Sequence, residues 1–189
     1  RKYVELIRAR GGVVSTGTRV SAIQRKAELQ IVSTSRGEIC TKLFVNCAGL
    51  LSDRVASLGG AKPDAKIVPL RGEYYKLVPS RQQLVKGLIY PVPDPRFPFL
   101  GVHFTRRVGG EVECGPNAVL AFKREGYTRT SFSLSDSIET LTYPGFWRMA
   151  SKYWRTGLGE MYRSFSKAAF VRALQKLLPE IQAGDLQEG

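Results

Sequence analysis

The sequence predicts a mixed α/β (α+β) fold, in which short strands lead into helices and a long helical region closes the chain. β-branched runs fill much of residues 13–34, a second group of strand-like segments lies between residues 67 and 104, and apolar residues recur at helical spacing from Ser135 to Leu178. The 189 residues are 43% hydrophobic and 24% charged, which is the balance of a chain that buries a core.

The beginning of the chain predicts one helix followed by short strands. Three apolar residues share a helical face within residues 2–10, and Gly11-Gly12 follow where a left-handed C-cap would sit. The β-branched runs at residues 13–15, 19–24 and 29–34 are separated by glycine or by charged residues. We therefore expect a small strand-turn-strand layer after the first helix.

Residues 43–49 predict a strand that is covered on both faces, because they form a nearly continuous apolar run without alternation. Ser52 and Asp53 then open a helix that Gly59-Gly60 close. Small residues at such a junction let a ligand approach the backbone, and the helix N-terminus favours phosphate. The alternative is a tight β-to-α turn, and neither G-x-G-x-x-G nor a Walker sequence is present.

The middle of the chain predicts an antiparallel or mixed sheet with a proline-rich loop. Residues 67–78 carry β-formers, and residues 88–104 contain four prolines, which belong at edges or turns because proline cannot donate to a strand ladder. Gly109-Gly110 indicates a hairpin. From Ser135 until Pro179 the apolar spacing predicts helices.

Composition makes the chain basic and limits the sites that it can hold. Lys and Arg number 29 against 16 Asp and Glu, so the net charge of +13 predicts affinity for nucleic acid, acidic lipid, or ligands with phosphate or carboxylate groups. Three cysteines without C-x-x-C spacing and a single histidine exclude a disulfide scaffold and a Cys/His zinc site, and they favour a reducing compartment. We expect no metal site. The sequence contains no apolar run of about 18 residues, which excludes a membrane-spanning helix.

A basic binding module is the main alternative to an enzyme. Residues 147–178 interleave aromatic side chains with seven basic ones, and this pattern can contact a nucleic-acid backbone or an anionic membrane surface. The same pattern is also typical of a pair of helices that pack an apolar face against the core and leave a basic face in solvent.

Two features can carry chemistry on pattern alone. His103 lies in a strand-like run near Gly101 and is the only histidine, so it can act as a general base or can simply be hydrogen-bonded within a strand. Lys123 and Arg124 follow an apolar stretch. They can bind a carboxylate, the arginine through its bidentate fork, or can form a solvated charge pair.

Three long and unusual strings carry a resemblance to a known family. They are residues 67–77 (IVPLRGEYYKL), residues 84–105 (LVKGLIYPVPDPRFPFLGVHFT) and residues 115–127 (GPNAVLAFKREGY). The chain resembles the FAD-dependent L-2-hydroxyglutarate dehydrogenases and oxidases, within the D-amino-acid-oxidase-like flavoproteins. The likeness includes residues 45–49 and 177–181 and spans nearly the whole chain.

The resemblance implies two domains. Residues 1–60 would be the later part of an FAD-binding βαβ domain, and residues 61–189 would be a substrate-binding domain with a mixed sheet and C-terminal helices. Val20 lies in a stretch similar to the strand whose backbone contacts the adenine, and Cys47, Ala48 and Gly49 would run beside the cofactor's phosphates. The family's glycine-rich fingerprint and closing segment do not occur in this sequence. We therefore expect an internal fragment that holds FAD weakly or not at all by itself.

The resemblance also implies a reaction, the oxidation of L-2-hydroxyglutarate to 2-oxoglutarate with hydride transfer from C2 to flavin. His103 would be the base, Tyr90 a hydroxyl donor to a substrate oxygen, Asn117 a polar orienter, and Lys123 or Arg124 a carboxylate partner. Each of these residues can instead serve loop or core structure.

The partners implied are a small dicarboxylate substrate and an electron acceptor, which is oxygen or a quinone. A peripheral membrane contact is consistent with the basic excess, and no nucleic-acid partner is expected. The implied location is mitochondrial if the source is eukaryotic, and otherwise cytoplasmic or at the cytoplasmic face of the inner membrane.

Overall fold

The computed structural model describes residues 1–93 and 101–189 and divides the chain into two compact units, Arg1–Ile67 and Val68–Gly189. Each unit contains both helices and an antiparallel sheet, so the mixed α/β class expected from the sequence is confirmed. Pro95 and Pro98 of the expected proline-rich loop lie outside the described residues.

The first unit is built on a three-stranded sheet with the order β1-β2-β3. Ile23 and Val32, which pair across the first two strands, are its buried apolar residues. The elements of the unit are α1 (Lys2–Ala9), β1 (Val20–Lys26), β2 (Leu29–Thr34), β3 (Gly37–Thr41) and α2 (Ser52–Leu58).

Two strand predictions in this unit are wrong. Residues 13–15 form no strand, and residues 43–48 are irregular, with Leu43 75% and Val45 68% exposed. An apolar run becomes a covered strand only when neighbouring strands supply hydrogen-bond partners. The three strands of this unit pair with one another, and among its residues none pairs with residues 43–48. The helix expected after Ser52 is confirmed.

The second unit is built on a five-stranded antiparallel sheet with the order β5-β6-β7-β4-β8. The hairpin expected at Gly109-Gly110 joins β6 to β7, with Gly110 at a φ of +91°. Its strands are β4 (Leu70–Leu77), β5 (Leu88–Ile89), β6 (His103–Arg106), β7 (Val112–Leu120) and β8 (Leu186–Glu188).

Three helices lie between β7 and β8 in the chain, as the apolar spacing predicts. They are α3 (Leu134–Leu141), α4 (Pro144–Phe165) and α5 (Lys167–Gln175). Ser133 caps α3 and Ser166 caps α5, each by accepting a backbone N–H with its side chain. The long helix α4 is interrupted at Tyr153, whose φ of −118° and ψ of 15° are not helical.

The core of the second unit lies between one face of the sheet and α5. Phe104 and Cys114 pair across β6 and β7 and are fully buried, and Tyr75, opposite Cys114, meets the Phe170 ring edge-on at 4.9 Å. Since neighbouring strand residues point to opposite faces, this core fixes which side chains β4, β6 and β7 present on the other face.

Candidate functional site

The face of the second sheet opposite the core brings together aromatic and titratable side chains. His103 pairs with Gly115, one position away from the buried Phe104 and Cys114 pair. Tyr90 follows β5 and Tyr74 precedes the core residue Tyr75 on β4. We call this surface, defined by Tyr74, Tyr90, His103 and Gly115, the His103 face.

His103 is held in one orientation on this face. Its ring stacks on that of Tyr90, with centroids 4.1 Å apart and planes inclined by 21°. Its Nδ1 lies 3.0 Å from the Gly101 carbonyl oxygen, which can only accept, so Nδ1 carries the proton in this contact. Nε2 is then the nitrogen with a lone pair, and in the described part of the chain it has no hydrogen-bond partner. This is the tautomer that a general base requires.

Tyr90 contacts two neighbours on the same face. Besides the stack with His103, its hydroxyl lies 3.3 Å from Thr105 Oγ1, and either oxygen can be the donor. The side chain stays 43% exposed. The structure therefore brings together the expected base and the expected hydroxyl donor.

Tyr74 is a residue of this face that the sequence analysis missed. Its ring lies against two glycines of the sheet: a Cβ at Gly115 would stand 2.9 Å from Tyr74 Cδ1, and one at Gly72 would stand 3.1 Å from Cε2. Burial, followed by the charge of Glu113, raises the pKa of the Tyr74 phenol, which therefore stays protonated at neutral pH. The sequence does contain a signal for this position of Tyr74. Side chains alternate along a strand, so Tyr74 points to the face opposite that of the apolar Leu77.

Charged side chains border the His103 face where β6 turns into β7. Glu113, which pairs with Thr105, receives a hydrogen bond from Arg107, and Lys76 lies 3.5 Å from Glu111. Tyr74, Lys76 and Arg107 also line a polar cleft of about 600 Å³ along β4. An anionic ligand at this cleft would meet cations that already have carboxylate partners.

Asn117 lies in a different environment from His103. It is fully buried, and its amide nitrogen donates to the Glu160 carbonyl oxygen at 2.8 Å and lies 3.4 Å from Glu73 Oε2. Its amide oxygen accepts from Arg163 Nε at 3.2 Å. Both ends of the carboxamide are thus used to join β7 to β4 and α4.

Glu73 is the centre of the charged network around Asn117. Arg71 donates to its carboxylate at 2.7 Å and Arg129 at 3.3 Å. Burial raises the pKa of this carboxyl, but the hydrogen bonds of Ser164 and Arg71 and the charge of Arg129 outweigh it, so the pKa lies below its ordinary range. The carboxylate is therefore ionised and held by its neighbours at neutral pH.

Lys123 and Arg124 point to different surroundings. Arg124 is buried, with its guanidinium 3.3 Å from Glu139 Oε1 and its backbone N–H donating to Asp136. Lys123 is exposed and forms no ion pair within the described residues. Of the two cations, only Lys123 is available to an external carboxylate.

The residues expected to bind cofactor lie in the first unit. Val20 is half-buried at the start of β1 and pairs with Thr34. Cys47, Ala48 and Gly49 are exposed, and a Cβ on Gly49 would meet nothing within 4 Å. The Asn46 side chain orders this turn by accepting from Ala48 N–H and donating to the Ser52 carbonyl. Small residues and an open backbone leave room for a ligand here.

The chain matches one known protein family along most of its length. The model of the FAD-dependent oxidoreductase (DAO) family matches residues 1–184. The chain belongs to this family. In the described residues, no helix is long and apolar enough to cross a membrane, and no cluster of metal-binding side chains is found.

The chain is also similar to several curated proteins named L-2-hydroxyglutarate dehydrogenase. It is 55% identical to the Indibacter alkaliphilus protein over 189 residues. The aligned region is 100% of this chain and 47% of the relative. It is 45% identical to the human mitochondrial protein over 95% of this chain and 41% of the relative. It is 42% identical to the Escherichia coli K12 protein, over 97% of this chain and 44% of the relative. The chain thus spans about half the length of these relatives.

Proposed function

We propose that this chain is part of an FAD-dependent dehydrogenase that oxidises L-2-hydroxyglutarate to 2-oxoglutarate. The observation that carries the proposal is the 55% identity along the whole chain to a protein named for that activity. The His103 face supports it, since it offers a base and hydroxyl groups on one surface. A basic module for nucleic acid does not account for the family match over residues 1–184.

The proposed reaction requires a base for the C2 hydroxyl proton and groups that bind the carboxylates of the substrate. His103 Nε2 accepts the proton of the C2 hydroxyl, while the Nδ1 contact with Gly101 keeps the ring in the required tautomer. Tyr90 orients the imidazole by stacking and presents its hydroxyl to a substrate oxygen. The exposed Lys123 contacts a carboxylate of the substrate. The buried Asn117 and Arg124 would act indirectly, by fixing the strands and loop around them.

FAD is the cofactor that the family requires, and when bound it supplies the hydride acceptor. We assign its contacts in this chain to the backbone at Val20 and to Cys47, Ala48 and Gly49. The absence of atoms near a Cβ at Gly49 and the exposure of the neighbouring backbone fit this role. The proposal extends to the two parts expected from the sequence, residues 1–60 for the cofactor and 61–189 for the substrate.

The test is the activity of the full-length enzyme and of a His103→Ala variant. We expect L-2-hydroxyglutarate to bleach the flavin anaerobically and to yield 2-oxoglutarate. Loss of the base should lower turnover by about 10²-fold or more with the flavin content unchanged. A control is Tyr162→Phe, at a 59% exposed position on α4 that does not line the cleft. Turnover unchanged in His103→Ala would remove the base assignment.

A peripheral membrane contact is a second proposal, and α4 supports it. After its interruption, Trp154, Leu158, Met161 and Phe165 recur at helical spacing and are each at least 45% exposed. The Arg155 guanidinium lies 5.2 Å from the Trp154 ring centroid, so a cation adjoins this apolar stripe. Aromatic and basic residues side by side are typical of helices that lie on anionic lipid.

The electron acceptor and the location follow from the same reasoning. An enzyme at a membrane surface can reduce a quinone, and one without that contact would use oxygen or another acceptor. Relatives from human and Caenorhabditis briggsae are named as mitochondrial. We propose a mitochondrial location if the source is eukaryotic, and otherwise the cytoplasm or the cytoplasmic face of the inner membrane.

A further inference from the structure

We propose that Tyr74 is a substrate-binding residue, whose phenol donates a hydrogen bond to the C1 carboxylate of the 2-hydroxy acid. The inference rests on the proposed function and deepens it, because it names a contact that neither the family match nor the sequence analysis assigns.

Tyr74 adjoins the proposed base across the sheet. His103 pairs with Gly115 in the sheet, and the Tyr74 ring lies against that same glycine from the neighbouring strand. Tyr90, His103 and Tyr74 therefore form a row across β5, β6 and β4 on one face, with the glycine between the imidazole and the phenol.

Two glycines lie against the Tyr74 ring. A Cβ at Gly115 would stand 2.7 Å from the Glu73 carbonyl oxygen and 2.9 Å from Tyr74 Cδ1, and one at Gly72 would stand 3.1 Å from both Pro116 Cβ and Tyr74 Cε2. A side chain at either site would therefore press on the ring and on its neighbours. Gly115 also has a φ of +145°, which side chains disfavour. Two glycines thus let the phenol lie flat on the sheet instead of extending into solvent.

The Tyr74 hydroxyl is free to bind a ligand. Tyr74 is 41% exposed, and its hydroxyl has no hydrogen-bond partner in the part of the chain that the structure describes. The phenol remains a donor at neutral pH. A donor without a partner, in the same row as the proposed base, is available to an anionic oxygen.

The covalent structure of the substrate indicates that Tyr74 contacts the C1 carboxylate and not the C5 carboxylate. The hydroxyl that His103 would deprotonate is on C2, which is bonded directly to C1. A donor next to the base in the row therefore meets the adjacent acid group, whereas the C5 carboxylate lies farther along the substrate. Tyr74 also lines the polar cleft along β4, so its hydroxyl is open to a ligand on that side.

The experiment compares Tyr74→Phe with wild type in the full-length enzyme, using L-2-hydroxyglutarate and the monocarboxylate L-2-hydroxybutyrate. The variant keeps the ring on its glycines and removes only the hydroxyl. We expect KM to rise about tenfold or more for both substrates, because a hydrogen bond to a charged group is lost. Turnover at saturation, flavin content and thermal unfolding should change little.

Two further variants separate binding from structure. Tyr162→Phe removes a hydroxyl from a 59% exposed position on α4 that does not line the cleft, and it should leave KM unchanged. Gly72→Ala should displace the Tyr74 ring and raise KM, and it should have a much smaller effect when Tyr74 is already Phe.

The outcomes are distinct. If the wild-type enzyme does not oxidise L-2-hydroxyglutarate, the proposed function fails and the Tyr74 role fails with it. If the wild type turns over and Tyr74→Phe has an unchanged KM, only the Tyr74 role is overturned. A rise in KM for the dicarboxylate alone would also overturn it, because the contact would then be with C5.

Discussion

At the scale of single residues, the chain shows which side chains a sequence can assign and which it cannot. The sequence predicts functional roles for His103 and Tyr90, and the two side chains are in contact. It predicts a role for Asn117 too, but the amide of Asn117 donates to the Glu160 carbonyl, 43 positions away, and no local pattern reveals such a contact. Arg124 is buried and the adjacent Lys123 is exposed. Tertiary packing determines which of two neighbouring side chains is buried, and the local sequence does not show it.

Lys123 provides the residue-scale prediction. In the full-length enzyme, Lys123→Ala should mainly raise the apparent KM for L-2-hydroxyglutarate, because it removes the exposed cation proposed to contact the second carboxylate. Steady-state kinetics with dicarboxylic and monocarboxylic 2-hydroxy acids measure this. Lys86→Ala, at another exposed position of the same unit, is the control. An equal effect on both classes of substrate would argue against a contact with the second acid group.

At the scale of elements, local signals identified most strands and helices, and tertiary pairing decided the exceptions. Residues 29–34 form the predicted strand, and Gly109-Gly110 forms the predicted hairpin, because turn chemistry and alternation are local properties. The apolar character of residues 43–49 predicts a covered strand, which the structure does not contain. Pairing partners decide that outcome, and composition cannot supply them.

The Glu73 network yields an element-scale prediction, because it joins β4 and β7 to α4. The pKa of Glu73 is lowered in the folded chain, so its stabilisation is complete above the ordinary carboxyl pKa of 4.5 and is lost as the pH falls through the lowered value. Glu73→Gln should lower the free energy of unfolding by about 1–3 kcal/mol at pH 7. It should also weaken the loss of stability below pH 4.5.

Urea unfolding at neutral and acidic pH measures both effects. Glu28→Gln, at an exposed position in the turn after β1, is the matched control and should change neither quantity. An acid dependence in Glu73→Gln identical to that of the wild type would show that other carboxyl groups dominate the acid transition.

At the scale of the whole molecule, the chain consists of two units that together span about half the length of its relatives. The family and the mixed α/β class could be recognised from long local strings, because these survive in a partial chain. The cofactor site could be recognised only in part, because its residues in this sequence are a few small side chains and backbone groups of the first unit.

Cofactor affinity is the first prediction at this scale. The 189 residues contain no G-x-G-x-x-G fingerprint, whose backbone N–H groups hold the pyrophosphate in dinucleotide sites. We expect the chain by itself to hold FAD weakly or not at all. Flavin absorbance after gel filtration, with the full-length enzyme as the control, measures this. Tight stoichiometric flavin on the 189-residue chain would contradict the expectation.

Membrane contact is the second prediction at this scale. The full-length enzyme should float with vesicles that contain anionic lipid more than with neutral vesicles. Replacing Leu158 and Phe165 by Ser should reduce that binding without reducing activity toward a water-soluble dye. Val13→Ser, at another exposed apolar position, is the control. If the Leu158 and Phe165 changes instead lower the unfolding temperature and leave flotation intact, the stripe on α4 packs against protein.

The exposed apolar run at residues 43–45 has a consequence for how the chain behaves in a cell. Leu43 and Val45 are presented to solvent on backbone that has no strand beside it within the first unit. Exposed apolar segments of this kind are prone to associate with a second molecule. Expressed at high concentration by itself, the chain should form oligomers that a charge placed at Val45 suppresses.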